Sequence, residues 1–141
     1  MKKLFFGLIL FLLIQSQYLL AFDIETASKI YDKLFYAVFK KEDIKVYVND
    51  DEYKKMISLS QYLKLTQKIE NSDIIIITKE EELNEIKDKV AFTIDKELLE
   101  KNANIIGAFY WNKGIPEIIF LKERLVKYNL DLSESFKKYE K

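Results

Sequence analysis

The chain has 141 residues with 23 basic and 23 acidic side chains, so it lacks the basic excess that neutralising a phosphate backbone requires, which argues against nucleic acid as a partner. It contains no Cys and no His, which rules out thiol chemistry and a Ser-His-Asp triad. A hydrophobic content of 49% and an aromatic content of 14% argue against disorder.

At the N-terminus Lys2 and Lys3 precede Leu4 to Ile14, an apolar run within the roughly 7–15 residues of a secretory h-region. Gln15, Ser16 and Gln17 then break the apolarity before a membrane span of about 20 residues could form. Residues 1–21 therefore read as a cleavable signal peptide, cut after Ala21, and the mature protein is expected in the periplasm. Leu19 is larger than the small residue preferred at the third position back, so retention of Leu4–Phe22 as an anchor is the alternative. No Cys follows the run, which excludes a lipid-anchored lipoprotein. Cleavage removes two lysines and leaves 21 basic against 23 acidic residues, a net charge of about −2. The remaining 22–141 suit a single domain, held by packing without disulfides.

Ile24, Ala27, Tyr31, Leu34, Phe35 and Val38 form the stripe of an amphipathic helix over Ile24–Phe39, with Asp23 able to cap it. Ile44–Val48 reads as a strand. Asn49 with Glu52 then makes a capping-box start for a helix from Asp50 to about Leu65. Asp73–Thr78 is apolar on successive residues, as a strand buried on both faces must be. Thr78 with Glu81 starts a third helix, Lys79 to about Lys89, whose Glu80, Glu81, Glu82 and Glu85 read as a solvated acidic face. Val90–Ile94 is a further strand, followed by Asp95 and a short helical turn through Leu99 and Glu100.

Ile105–Trp111 and Glu117–Lys122 are β-rich and joined by residues 112–116, the turn chemistry of a hairpin. A helical turn at Glu123–Tyr128 and a last helix capped by Ser133 close the chain. This order predicts a single three-layer α/β domain: a mostly parallel sheet flanked by helices, with an antiparallel C-terminal hairpin at its edge.

Strand C-terminal ends line one edge of an open α/β sheet, where ligands usually bind. Asn49, Asp50, Thr78 and Asp95 are therefore candidate ligand-binding residues for a small polar ligand or hard cation. The alternative is that each caps a helix or sits in its first turn. Tyr110, Trp111 and Lys113 are candidates for a partner surface, because Trp and Tyr are hot-spot residues and an edge strand offers unpaired backbone groups. Alternation puts Phe109 and Trp111 on one face, where they can equally be core, and Tyr110 on the other. Arg124, alone among many lysines, suggests fork-shaped pairing with an internal carboxylate. No residue cluster calls for a catalytic site, a metal site or a cofactor, and carboxylate-only ligands would suit Mg²⁺ or Ca²⁺ better than zinc or copper.

An exported N-terminus, a leading helix, the strand-turn-helix Ile44–Tyr53, the apolar strand Asp73–Thr78 and the strand Phe92–Asp95 form a recognisable order. It continues through the Gly-bearing hairpin ending Ile118–Leu121 and the closing stretch Leu130–Ser133. In order and spacing it resembles the YfiR-like family of small periplasmic regulatory proteins. The resemblance implies pairing with a membrane-bound signalling protein, of diguanylate cyclase or histidine kinase type. Two features depart from the family pattern: the family's Cys residues are absent, and the stretch after Leu63 is too short for one strand the family usually has. The expected function is thus that of an exported regulatory or interaction protein without catalytic activity, with a homodimer left open. The alternative is a small periplasmic ligand-binding module resembling half of a solute-binding protein. An enzyme using carboxylates comes third.

Overall fold

A computed structural model describes residues 23–141, so the signal peptide expected at 1–21 lies outside the described residues. Helix α1 (Ile24–Phe39) starts where the Asp23 carboxylate accepts from the Thr26 N–H and hydroxyl, and ends at Lys40 in the left-handed region. Strands β1 (Ile44–Val48), β2 (Leu63–Leu65), β3 (Ile74–Ile77), β4 (Ala91–Thr93), β5 (Ile105–Asn112) and β6 (Ile115–Phe120) follow. They form one six-stranded sheet of order β2-β1-β3-β4-β5-β6, parallel except for the antiparallel pair β5-β6. The single α/β domain with its edge hairpin is as the sequence pattern predicts, with one strand more.

The extra strand comes from an early helix end. Helix α2 (Asp51–Ser58) stops well before the expected Leu65, and Leu63–Leu65 pairs with Ile44–Val46 instead. The cause lies on α1. Its Asp32 carboxylate accepts from the Ser60 hydroxyl and from the Gln61 and Tyr62 N–H groups at 3.0 Å each, which holds the chain out of helix.

Period-two alternation divides the buried side chains between the two faces. Ile74 and Ile76 of β3 face a core made with α1, α2 and the helix α4 (Lys122–Lys127), centred on fully buried Tyr31, Phe35, Phe92 and Phe120. Ile75 and Ile77 face a second, smaller core with Ile86 and with Leu98 and Leu99 of helix α3 (Lys96–Lys101). The expected helix at Lys79–Lys89 is a 3-10 segment, Glu80–Glu85. Like charges at Glu81 and Glu85, four residues apart, disfavour a longer helix there.

The hairpin turn is tighter than the five residues expected. Ile115 and Pro116 already pair with Asn112 and Trp111, leaving Lys113 (φ 52°) and Gly114 (φ 80°) as a two-residue turn. Positive φ at both matches the twist that favours short hairpins. β6 is an edge strand covered only at its C-terminal end. Lys141 N–H donates to the Phe120 carbonyl and Lys122 N–H to that of Lys141, both at 2.8 Å, while Pro116 has no N–H to offer.

Candidate functional site

The sheet order reverses at β1, since the chain leaves it for β2 on one side and reaches β3 on the other. A crevice at the C-terminal ends of β1 and β3 is where such sheets usually bind ligands. Here the protein fills that position itself. Glu82, only 7% exposed, directs one carboxylate oxygen at the Thr78 N–H (3.1 Å), the Thr78 hydroxyl (2.9 Å) and the Lys79 N–H (2.9 Å). Its other oxygen accepts from the Asn49 amide at 3.1 Å, and the Asn49 oxygen accepts from the Tyr47 hydroxyl at 2.8 Å. Burial, then the nearby Glu85 and Glu82 carboxylates, push the Tyr47 hydroxyl above the ordinary phenol range.

Two sequence expectations are corrected here. Asn49 does not cap α2; Asp50 does, accepting from the Glu52 and Tyr53 N–H groups at 2.9 and 3.2 Å. Glu81 is not the capping-box partner of Thr78, and the acidic run is not wholly a solvated face, because Glu82 is the residue turned inward. A one-residue offset decides both. The N-cap positions are Asp50 and Lys79, each one position beyond the residue that the sequence pattern favours, and at Lys79 it is the Glu82 carboxylate, reaching back to the Lys79 N–H, that does the capping.

Asp95 caps α3 as expected, accepting from the Glu97 N–H at 2.8 Å. It also lines an open groove of roughly 610 Å³, bounded by Thr78, Ile94, Lys96 and Glu97 on one side and by Tyr110, Trp111 and Asn112 on the other. The structure thus brings together Thr78 and Asp95 from the ligand candidates with Tyr110 and Trp111 from the partner candidates. Asn49, Asp50 and Lys113 do not line it.

Tyr110 is half-buried rather than simply outward, packing against the second core. Its hydroxyl donates to the Glu117 carboxylate across the hairpin, which raises the Tyr110 hydroxyl above its ordinary value, with burial adding. Glu117 is held below the ordinary carboxylate value by that bond first and by the Asn112 amide (3.1 Å) second. Lys96 lies near enough to lower it further. Phe109 packs on the first core against Tyr31, ring centroids 6.0 Å apart, whereas Trp111 on the same face is 59% exposed.

Lys96, Glu97, Asn112 and Glu117 complete the groove and its rim without having been singled out in the sequence. Alternation along β5 already puts Asn112 on the Tyr110 face, but only the hairpin register puts Glu117 opposite Tyr110. Among the described residues, Arg124 pairs with no carboxylate. One guanidinium nitrogen donates to the Leu99, Asn102 and Ile105 carbonyls at 2.6, 3.0 and 2.7 Å, tying the C-terminal end of α3 to the start of β5. Burial lowers its proton affinity below the ordinary value.

Among the described residues, no group of three or more acidic side chains could hold a metal ion, and no helix is long and apolar enough to cross a membrane. No family model matches the chain, and no curated protein matches it by sequence.

Proposed function

We propose that the chain is an exported, non-catalytic regulatory protein of the periplasm that docks onto the outer portion of a membrane-bound signalling enzyme, as its YfiR-like element order implies. The observation that carries this reading is how the polar groups at the sheet's C-terminal edge are used. Asn49, Asp50 and Thr78 are spent on internal hydrogen bonds, and Asp95 on its helix cap, so the usual ligand position holds Glu82 instead of a vacancy. Beside it, the groove between α3 and the hairpin stays open, with Lys96, Glu97 and Asn112 exposed at its rim. A mixed apolar and charged groove suits a segment of another protein, with aromatic anchors inside and charges at the rim setting partner choice.

Co-purification of the exported protein with the product of a neighbouring gene, where that product is a membrane protein with a periplasmic loop and a cytoplasmic signalling domain, tests the reading. Exchanging the rim charges, Lys96→Glu with Glu97→Lys, should weaken the association without shifting the thermal melt.

A second reading rests on the groove's size, which falls within the range of small-ligand sites, about 300–1,000 Å³. If the charge exchange is silent while Asp95→Ala abolishes function beyond its cost in stability, the ligand-binding module is the better account.

A further inference from the structure

Two large apolar side chains stand out at the end of the hairpin, Trp111 at 59% and Ile115 at 63% exposure. Trp111 pairs with Pro116 and Asn112 with Ile115, so Trp111 and Ile115 lie on opposite faces of the two-stranded tip. A flat protein surface covers one face of such a tip; a fluid apolar medium covers both. From Phe109 to Pro116 the only charge is Lys113, at the apex of the turn. The nearest acid, Glu117, is already engaged by Tyr110 and Asn112. An indole, an aliphatic side chain and a lone lysine on a narrow projection have the composition of a segment that rests at a membrane interface.

The placement of the tip agrees. β5 runs parallel to β1 through the sheet, so its end lies on the C-terminal edge. Helix α1 feeds β1 through the short loop 40–43 and therefore runs the opposite way, with its first turn on that same edge. Tyr31, two turns into α1, touches both Phe109 and Tyr53 in the first turn of α2, and Phe109 in turn touches Trp111 at 6.4 Å. The chain thus enters the domain at the end that carries the tip.

We propose that the hairpin tip, Trp111 to Ile115, inserts into the headgroup layer of a phospholipid bilayer and holds the C-terminal edge of the sheet against the membrane. This goes beyond the docking reading and needs no protein partner. Trp111 and Asn112 belong both to the tip and to the groove, so an enzyme lying in that bilayer would meet the groove through its other wall, Thr78 and Ile94 to Glu97.

Trp111 is the single Trp in the chain, so tryptophan emission, excited on the long-wavelength side of the tyrosine band, reports the tip alone. The chain from Phe22 onward is a fair test object, since both cores are built from residues within 23–141. Mixed with protein-free vesicles of phosphatidylethanolamine and phosphatidylglycerol, its emission should shift to the blue and be quenched by brominated acyl chains. Ile115→Ser should lower vesicle partitioning by about tenfold or more, as expected for withdrawing one large apolar side chain from lipid, with an unchanged melt. Lys113→Glu should weaken binding to these vesicles and leave binding to neutral ones alone. Unquenched emission at every lipid concentration would overturn the proposal. So would a shift seen only in membranes that contain the protein partner, or one that depends on protein concentration without lipid, which would point to a second copy of the chain.

Discussion

Gly107 shows how one residue type can be demanded by packing rather than by backbone freedom. A Cβ at this position would sit 2.5 Å from the Ile119 carbonyl oxygen and 2.8 Å from a ring carbon of Phe120. The first of these is backbone in the neighbouring strand, so it yields only if the hairpin shifts. Gly107→Ala should therefore destabilise the protein by about 1–3 kcal/mol, as overpacking does, measurable by denaturant unfolding. Arg124 is a second demanding position. Arg124→Met leaves the Leu99, Asn102 and Ile105 carbonyls, at the end of α3 and the start of β5, without their donor and should cost about 1–2 kcal/mol, with Arg124→Lys recovering only part, because its ammonium stands on a shorter, more flexible stem. The Tyr110–Glu117 pair gives a pH dependence. Glu117 is depressed in the folded state, so the stability it contributes is present above its ordinary value of 4.5 and is lost as pH falls through the lower folded value. Tyr110 is raised above 10.0, so the same bond loses its donor proton only above that pH. Melting temperature followed from pH 6 downward should fall less steeply in Glu117→Gln than in the parent below about pH 4.5.

Among the elements, α2 is the one whose length depends on another helix. Its apolar and polar pattern permits continuation toward Leu65, but Asp32 of α1 captures Ser60, Gln61 and Tyr62 and converts the last expected turn into a loop and a strand. Asp32→Ala should cost about 2 kcal/mol, since two N–H groups, one exposed and one partly buried, and a hydroxyl lose their acceptor. Hydrogen exchange should show the loss of protection concentrated at Leu63–Leu65. The hairpin behaves oppositely, because its turn is local: Lys113 and Gly114 close it whatever packs on either side. What the sequence did not disclose was that Ile115 and Pro116 belong to the strand, since Pro reads as turn chemistry unless its position at a sheet edge is known. The same element-level ambiguity governed the candidate site. Asp50 and Asp95 were legible as helix-start residues, and both are caps. Asn49 and Thr78 were legible as strand-end polar residues, but their partner Glu82 lay in a run of acids that reads as solvent-facing.

For the molecule as a whole, β3 is the spine, with Ile74, Ile75, Ile76 and Ile77 all at 1% exposure or less and divided between the two cores. Ile76→Asp should abolish cooperative folding, because an unpaired charge in a strand covered on both faces costs several kcal/mol of a marginal total. A near-native melt for this variant, followed by circular dichroism, would contradict the central place of the strand. By itself the sequence determined the α/β class, five of the six strands, the leading helix and the terminal hairpin, because periodicity and turn chemistry act between residues close in the chain. The tertiary structure alone decided the sixth strand, the inward turn of Glu82, the carbonyl-binding role of Arg124 and the meeting of Thr78, Asp95 and Tyr110 around one groove. Apart from the bonds of Glu82 to Thr78 and Lys79, four and three residues away, each of these is a contact across 15 or more residues, where the partner is set by how the sheet orders its strands and not by any local pattern.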